Sequence, residues 1–162
     1  MRWREFQEEC PELAELTVAR LARDQLLLLG TVRPDGSPRI SAVECDFAEG
    51  NLLIGMIHRS VKALDLRRDP RATAHSLPPG KDNPDGDIKL YGRAVEVSEP
   101  ALKRAYEDAL FARIEWRPPE PYHCFAFDLE SAGYLRFGDA GEEIWAWRPG
   151  GELRRRLVKH DH

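Results

Sequence analysis

Residues 26–57 read LLLLGTVRPDGSPRISAVECDFAEGNLLIGMI, and this stretch decides the fold. Three β-type runs, Leu26 to Val32, Pro38 to Phe47 and Leu52 to Ile57, are separated by turn-forming residues. The first separator contains Pro-Asp-Gly and the second Glu-Gly-Asn, and both compositions favour hairpins. The stretch therefore predicts three antiparallel strands joined as a meander.

Helical patterns lie on both sides of this meander. Glu12 to Arg23 carries apolar residues at near-helical spacing, and Pro11 suits a first helical turn, so we predict an N-terminal helix within residues 1–24. After the meander, Ser60 is a typical helix N-cap, and Pro70 ends the pattern. We predict a short helix over residues 60–69, inside a barrel core that covers residues 25–97.

Strand and loop patterns continue from there to residue 97. Arg71 to Leu77 predicts a strand, and the segment from Pro78 to Asp87 is rich in Pro, Gly and Asp, which indicates an exposed loop that could act as a lid. Ile88 to Val97 predicts another strand, in which Gly92 marks a bulge or a close approach of backbone.

The last third of the chain predicts one helix and then strands. Ser98 is the expected cap of a helix over residues 98–116, with Pro100 in its first turn. Residues 122–159 hold three short β-type segments and a basic edge strand: Tyr122 to Leu129, Gly133 to Phe137, Glu142 to Trp147, and Glu152 to Lys159. About eight strands with three flanking helices predict a mainly β protein, a single domain over residues 1–162 built on a split antiparallel β-barrel.

Composition limits the possible partners and location. The net charge of −4 argues against general nucleic-acid binding, which needs an excess of Lys and Arg. Cys10, Cys45 and Cys124 are widely spaced and predict buried thiols in a reducing compartment. The longest apolar run, Leu26 to Leu29, is far too short to span a bilayer. We therefore expect a soluble, cytoplasmic protein that does not bind membranes.

The segment HRSVKALDLRRDP, residues 58–70, carries the chemistry. It places a hydroxyl, Ser60, and two cations, Arg59 and Lys62, at the predicted start of a helix. Free N–H groups and the positive end of the helix dipole favour a phosphate there. The alternative interpretation is that Ser60 is only a cap and that the two cations form a solvated surface.

Three blocks in this order resemble the pyridoxamine 5'-phosphate oxidase-like split-barrel family, which includes FMN-binding proteins and reductases that use the deazaflavin F420. The blocks are Thr31 to Arg39 (TVRPDGSPR), Ser60-x-Lys62-x-x-x-Leu66-x-x-x-Pro70, and Tyr91-Gly92-Arg93-Ala94. The closing residues 145–151, WAWRPGG, are similar to some members as well.

The resemblance implies a homodimer that binds FMN, or alternatively F420, at its interface. The cofactor phosphate is then expected at Ser60 and Lys62, with help from Arg59, and the ring along the strand end near Ile57 and His58. Ser41 and Val43 would face the ring. Trp145 or Trp147 would stack on it from the partner subunit, although either could equally be a core or dimer-contact residue.

This resemblance implies an oxidoreductase in which the cofactor transfers hydride to a small-molecule substrate, so no side chain is needed as an acid or base. The chain lacks the C-terminal Arg-Leu-x-Pro segment that vitamin-B6 oxidases use, so oxidation of pyridoxamine phosphate itself is not expected. Two alternatives stay open: a non-enzymatic flavin-binding or sequestering protein, and a barrel that has lost its cofactor.

The five histidines do not predict a metal site. His58, His75 and His123 lack short ligand spacing, and His160 and His162 lie at the chain terminus. We expect His75 to be a plain interior residue, although both His58 and His75 could approach the cofactor.

Overall fold

The computed structural model describes residues 1–78, 80 and 83–159 of the chain. Its elements follow one another along the chain in this order: α1 (Trp3–Glu9), α2 (Pro11–Asp24), β1 (Leu26–Val32), β2 (Pro38–Ala48), β3 (Asn51–Ile57), α3 (Val61–Arg68), β4 (Arg71–His75), β5 (Asp87–Glu96), α4 (Pro100–Ile114), β6 (Tyr122–Gly138), β7 (Gly141–Trp147) and β8 (Arg154–Val158). No helix within the described residues has the length and apolarity needed to cross a membrane.

Six strands close on themselves into a barrel. The hydrogen-bonded order is β3-β2-β1-β4-β5-β6, and an additional pairing of β3 with β6 completes the ring. Every pairing is antiparallel, and β7 and β8 extend the sheet beyond β6. Because the pairing of β3 with β6 joins the first and last strands of this six-stranded ring, each of its six strands has a neighbour on both sides. The predicted mainly β split barrel is confirmed.

The barrel interior follows from the alternation of residues in its strands. In β1, Leu27, Leu29 and Thr31 are buried while their neighbours are only partly covered, as expected when every second side chain faces a core. At the hairpin between β1 and β2, Gly36 has φ of 84° and its N–H bonds the Arg33 carbonyl at 2.9 Å. The predicted meander is therefore present.

Helices cover the barrel from different sides. In α3, Ala63 and Leu66 are buried in the main core, and in α4, Tyr106 and Leu110 pack in a separate cluster. That second cluster also contains Leu53 of β3, so α4 lies against the outer surface of the barrel. These two helices flank the end of β3, where the candidate site forms.

The N-terminal region contains two helices rather than the predicted one, so four helices flank the sheet within the described residues. Cys10 separates α1 from α2 with φ of −140° and ψ of 67°, and Pro11 begins α2. A residue before proline is disfavoured in the helical region, which breaks the helix at this point. Trp3 and Phe6 of α1 are buried in the core.

Two further predictions need correction. Glu99, not Ser98, is the N-cap of α4, and it makes no side-chain cap bond. Residues 122–138 form one strand, β6, because the pairing skips Glu130: Tyr91 faces Ser131 and Gly92 faces Leu129. The extra residue forms a bulge that bends the strand without ending it. The close approach predicted at Gly92 is confirmed, since a Cβ there would overlap the Asp128 carbonyl oxygen.

Candidate functional site

Residues 58–60 connect β3 to α3, and Val61 and Lys62 begin α3. We call residues 58–62, which hold the predicted anion-binding side chains, the anion turn. The Ile57 carbonyl accepts a hydrogen bond from the Ser60 N–H at 3.0 Å. Arg59, between them, has φ of 56°, in the left-handed region. The chain thus reverses sharply and presents the first turn of α3, whose N–H groups have no acceptor within the helix.

The Ser60 hydroxyl is the unusual group of the anion turn. Its oxygen is buried and has no hydrogen-bond partner among the described residues, and it makes no side-chain cap bond to α3. Ser60 is thus the N-cap residue of α3, as predicted, but its side chain makes no cap bond. A buried polar atom left unpaired costs about 1–3 kcal/mol. The residue as a whole is half-buried and lies at the N-terminus of α3.

Two cations of the anion turn are free to meet an anion. Arg59 is exposed and Lys62 half-buried. Among the residues that the structure describes, neither side chain has a carboxylate within 4.0 Å. The unpaired charge of Lys62 therefore lies in the first turn of α3, where the helix dipole also favours an anion.

A largely apolar cavity of about 390 Å³ opens beside the anion turn, and we call it the groove. Its volume is within the range of small-molecule sites. Val43, Ile57, His58 and Lys62, all predicted for the site, line it. Its other walls come from β2, β3, α4 and the segment before β6: Ala42, Glu44, Gly55, Met56, Tyr106, Trp116, Pro118, Pro119, Pro121 and Tyr122.

The groove walls carry little charge. Burial raises the pKa of both Tyr106 and Tyr122, so these hydroxyls stay protonated at neutral pH. Tyr122 donates its hydroxyl proton to Glu107 at 2.9 Å. Glu44 also lines the groove, and its carboxylate lies 3.6 Å from Arg113. The other walls away from the anion turn are apolar or neutral aromatic surface, which suits a flat aromatic ring.

Four predicted site residues do not line the groove within one chain: Ser60 and Arg59, which lie in the anion turn beside it, and Ser41 and Trp145. Ser41 lies on β2 opposite Leu29 of β1 and does not line the groove. Trp145 lies on β7, where its ring packs against Tyr134 at 5.1 Å and its Nε1 donates to Glu143 at 2.8 Å. A role for Trp145 therefore requires a second subunit.

The loop before β5 and His75 also lie apart from the groove. Pro79, Lys81 and Asp82 of the predicted lid lie outside the described residues. Its described part is tied to α2, since Arg20 donates to the Asp85 and Gly86 carbonyls. His75 is half-buried, with Nδ1 2.5 Å from the Ser76 carbonyl. Within the described residues no group of three potential metal ligands occurs, and His160 and His162 lie outside them.

Asp65 anchors α3 to the barrel below the anion turn. Its buried carboxylate accepts hydrogen bonds from Arg39 Nε at 2.6 Å and from the Thr31 hydroxyl at 3.1 Å. Burial alone would raise the pKa of Asp65, but these hydrogen bonds and the Arg39 charge outweigh it and hold the pKa below its ordinary value. Asp65 is thus a carboxylate that fixes the helix on β1 and β2.

Sequence reasoning missed the contacts of His123. This residue of β6 is buried, with Nδ1 2.5 Å from Glu96 Oε1, and its Nε2 accepts a hydrogen bond from the Arg59 N–H at 3.1 Å. His58 stacks on it with ring centroids 5.1 Å apart. His58 and Arg59 follow β3, and they reach His123 of β6 because these two strands pair when the barrel closes. No local sequence signal could therefore have revealed these contacts.

A larger concavity of about 860 Å³ lies on the outer side of β5 to β8. Its walls include Trp145 and Arg154. Among the residues that the structure describes, its walls include no helix N-terminus, and their one buried side-chain polar atom without a hydrogen-bond partner is Trp147 Nε1. Size alone therefore does not make it the better candidate, and the groove with its anion turn is the site that combines shape with chemistry.

Solved structures share this fold at low sequence identity. A pyridoxamine 5'-phosphate oxidase-related, FMN-binding protein from Nostoc punctiforme is 16% identical, with a TM-score of 0.64 over 99% of this chain and 100% of that chain. A pyridoxinephosphate oxidase family protein from Clostridium acetobutylicum, related to general stress protein 26, is 17% identical, with a TM-score of 0.62 over 90% of this chain and 96% of that chain. A heme binding protein from Mycobacterium smegmatis is 18% identical, with a TM-score of 0.57 over 91% of this chain and 58% of that chain.

These similarities define the class of fold. No protein-family model matches the sequence, and a search of curated proteins finds no relative. The chain has the split-barrel fold of the pyridoxamine 5'-phosphate oxidase-related proteins, which confirms the expected resemblance at the level of fold. The same fold also occurs in a heme binding protein, so the ligand has to be argued from the residues of the site itself.

Proposed function

We propose that this protein is an oxidoreductase that binds FMN at a homodimer interface, with the phosphate at the anion turn and the ring in the groove. The observation that carries the proposal is the buried, unpartnered Ser60 hydroxyl at the N-terminus of α3, beside the unpaired Lys62. A phosphate would accept hydrogen bonds from that hydroxyl and from the first N–H groups of α3, and it would pair with Lys62.

The residues present fit each part of the cofactor. The apolar walls at Val43, Met56 and Trp116 suit a flat ring, and the anion turn lies at one side of the same groove. Bound FMN would supply hydride transfer to a small-molecule substrate. The protein would anchor the phosphate, hold the ring and exclude water from one of its faces.

The distribution of charge favours FMN over F420. A polyglutamyl tail needs additional free cations, and Arg39, Arg67, Arg68 or the run from Arg154 to Arg156 could supply them. That run lies on β8 and does not line the groove. Arg39 and Arg68 pair with Asp65, and Arg67 pairs with Glu96 at 3.1 Å. Lys62 and Arg59 remain, which matches one compact phosphate better than a long polyanion.

The dimer and the cellular location are parts of the same proposal. A second subunit would cover the open side of the groove and bring its own Trp145 to the ring. The three buried, unpaired cysteines are typical of a reducing compartment, so we expect the protein to act in the cytoplasm.

A binding titration with FMN, riboflavin and F420 tests the proposal directly. We expect FMN to bind more tightly than riboflavin, because only FMN carries a phosphate. Weak binding of all three would overturn the proposal and favour a barrel without cofactor. Tight FMN binding without turnover of any reductant by the loaded protein would leave a flavin-binding protein that is not an enzyme.

Lys62→Ala tests the anion turn. Removing one charge-assisted contact should weaken FMN binding by about 1.5–3 kcal/mol and leave riboflavin unaffected. Lys89→Ala is the matched control, since Lys89 lines the larger concavity instead of the groove. Equal FMN affinity in Lys62→Ala and in the wild-type protein would remove Lys62 from the site.

A further inference from the structure

His123 connects the anion turn to the barrel wall. It lies on β6, where it pairs with Met56 of β3, and 6% of its surface is exposed. One ring nitrogen, Nδ1, is 2.5 Å from Glu96 Oε1 on β5. The other, Nε2, accepts a hydrogen bond from the backbone N–H of Arg59 at 3.1 Å. Both nitrogens are thus used, and one of them holds the anion turn.

The hydrogen-bond partners of the His123 ring determine which of its two nitrogens carries the proton. A backbone N–H can only donate, so Nε2 has to be the bare nitrogen, and the proton on Nδ1 is donated to the Glu96 carboxylate. Arg67 of α3 binds the other oxygen of Glu96, with Nε 3.1 Å from Oε2. The arrangement therefore selects the neutral imidazole with its proton on Nδ1.

The hydrogen bond acts on a strained position. Arg59 has φ of 56°, a conformation that costs a residue with a side chain of this size free energy. The bond from its N–H to His123 opposes that cost and fixes the peptide that joins His58 to Arg59. We propose that neutral His123 is a positioning residue that holds the anion turn in its phosphate-binding conformation, an inference that rests on the proposed FMN site.

Two substitutions of His123 separate the effect of its hydrogen-bond acceptor from the effect of its ring volume. His123→Gln offers a carbonyl oxygen that can accept the Arg59 N–H bond. His123→Phe keeps a flat ring without an acceptor. We expect His123→Phe to bind FMN about tenfold more weakly than wild type. His123→Gln should remain within about twofold of wild type, because it restores the bond.

A second readout needs no variant of His123. In wild type the Arg59 N–H should exchange with solvent more slowly than the Val61 N–H, which lies in the first turn of α3 and has no acceptor within the helix. Equally fast exchange of the two N–H groups would overturn the proposal, and this comparison stands even if His123→Phe does not fold.

Amide hydrogen exchange of Arg59 tests the inference without FMN. Exchange at this N–H should be faster in His123→Phe than in wild type and His123→Gln. If wild type binds no FMN but this exchange pattern holds, the proposed function fails while the contact that fixes the turn stands. If wild type binds FMN and all three proteins exchange alike, the FMN site stands and the role of His123 is refuted.

Discussion

At the scale of single residues, the Ser60 hydroxyl combines a cost to folding with a use in binding. An unpaired buried hydroxyl destabilises the free protein, and its removal should relieve that cost. In the proposed site, the same hydroxyl would donate to the FMN phosphate at the start of α3. Stability and affinity are therefore expected to respond in opposite directions when it is removed.

Ser60→Ala should leave the free energy of unfolding of the FMN-free protein unchanged or raise it slightly, while weakening FMN binding by about 1.5–3 kcal/mol. Urea unfolding and FMN titration measure the two effects. The control is Ser76→Ala, because the Ser76 hydroxyl oxygen is buried and accepts the Ile88 N–H at 3.1 Å. That variant should lose about 1–3 kcal/mol of stability and keep its affinity for FMN. A stability loss in Ser60→Ala would show that the hydroxyl has a structural partner.

Residue chemistry at the anion turn could be predicted because Ser60 and Lys62 are close in sequence and share one helical turn. The contacts of His123 could not, since its partner Arg59 is 64 positions away and the two meet only through strand pairing. Trp145 was predicted from its type alone. The chain places it on β7, where other contacts satisfy it.

At the scale of elements, turn-forming and helix-ending residues predicted the boundaries of strands and helices better than residue propensities did. Pro-Asp-Gly fixed the β1–β2 hairpin, and Pro70 marked the end of α3. The break between α1 and α2 was missed because Pro11 was interpreted only as the start of a helix. β6 was predicted as two strands, Tyr122 to Leu129 and Gly133 to Phe137, although the chain continues between them through a bulge at Glu130. Both errors concern how an element continues rather than whether it exists.

The attachment of α3 depends on one buried carboxylate. Asp65→Asn removes the charge that Arg39 and Thr31 stabilise and should lower the free energy of unfolding by about 1.5–3 kcal/mol at neutral pH. Because the pKa of Asp65 is held below its ordinary value, this contribution is present above about pH 4 and is lost as pH falls through the lowered pKa. The difference from wild type should therefore shrink in strong acid.

Urea unfolding at neutral and acidic pH measures that difference. Asp108→Asn is the control, since its pair with Arg117 at 2.6 Å is exposed and should contribute little. Equal stability of Asp65→Asn and wild type at neutral pH would mean that packing of Ala63 and Leu66, and not Asp65, holds α3 on the barrel.

At the scale of the whole molecule, the surface around the groove exposes a group of large apolar side chains. Ile57 is 77% exposed and Val61 59% exposed, and Leu64 lies one helical turn beyond Val61. Trp116 on the groove wall is exposed as well. Apolar side chains grouped in this way mark interaction surfaces. They lie where the proposed partner subunit would cover the groove.

Ile57→Glu tests whether this surface joins two chains. We expect wild type to sediment as a dimer of 18.5 kDa chains at micromolar concentration, and Ile57→Glu as a monomer, because an interface would bury the new charge without a partner. The variant should keep its fold by circular dichroism, since the site is exposed in a single chain, and it should bind FMN more weakly because the groove stays half open. Val18→Glu, at an exposed position of α2 away from the groove, should remain dimeric. A monomeric wild type would rule out a pocket built from two subunits, and a dimeric Ile57→Glu would place the interface on another face of the barrel.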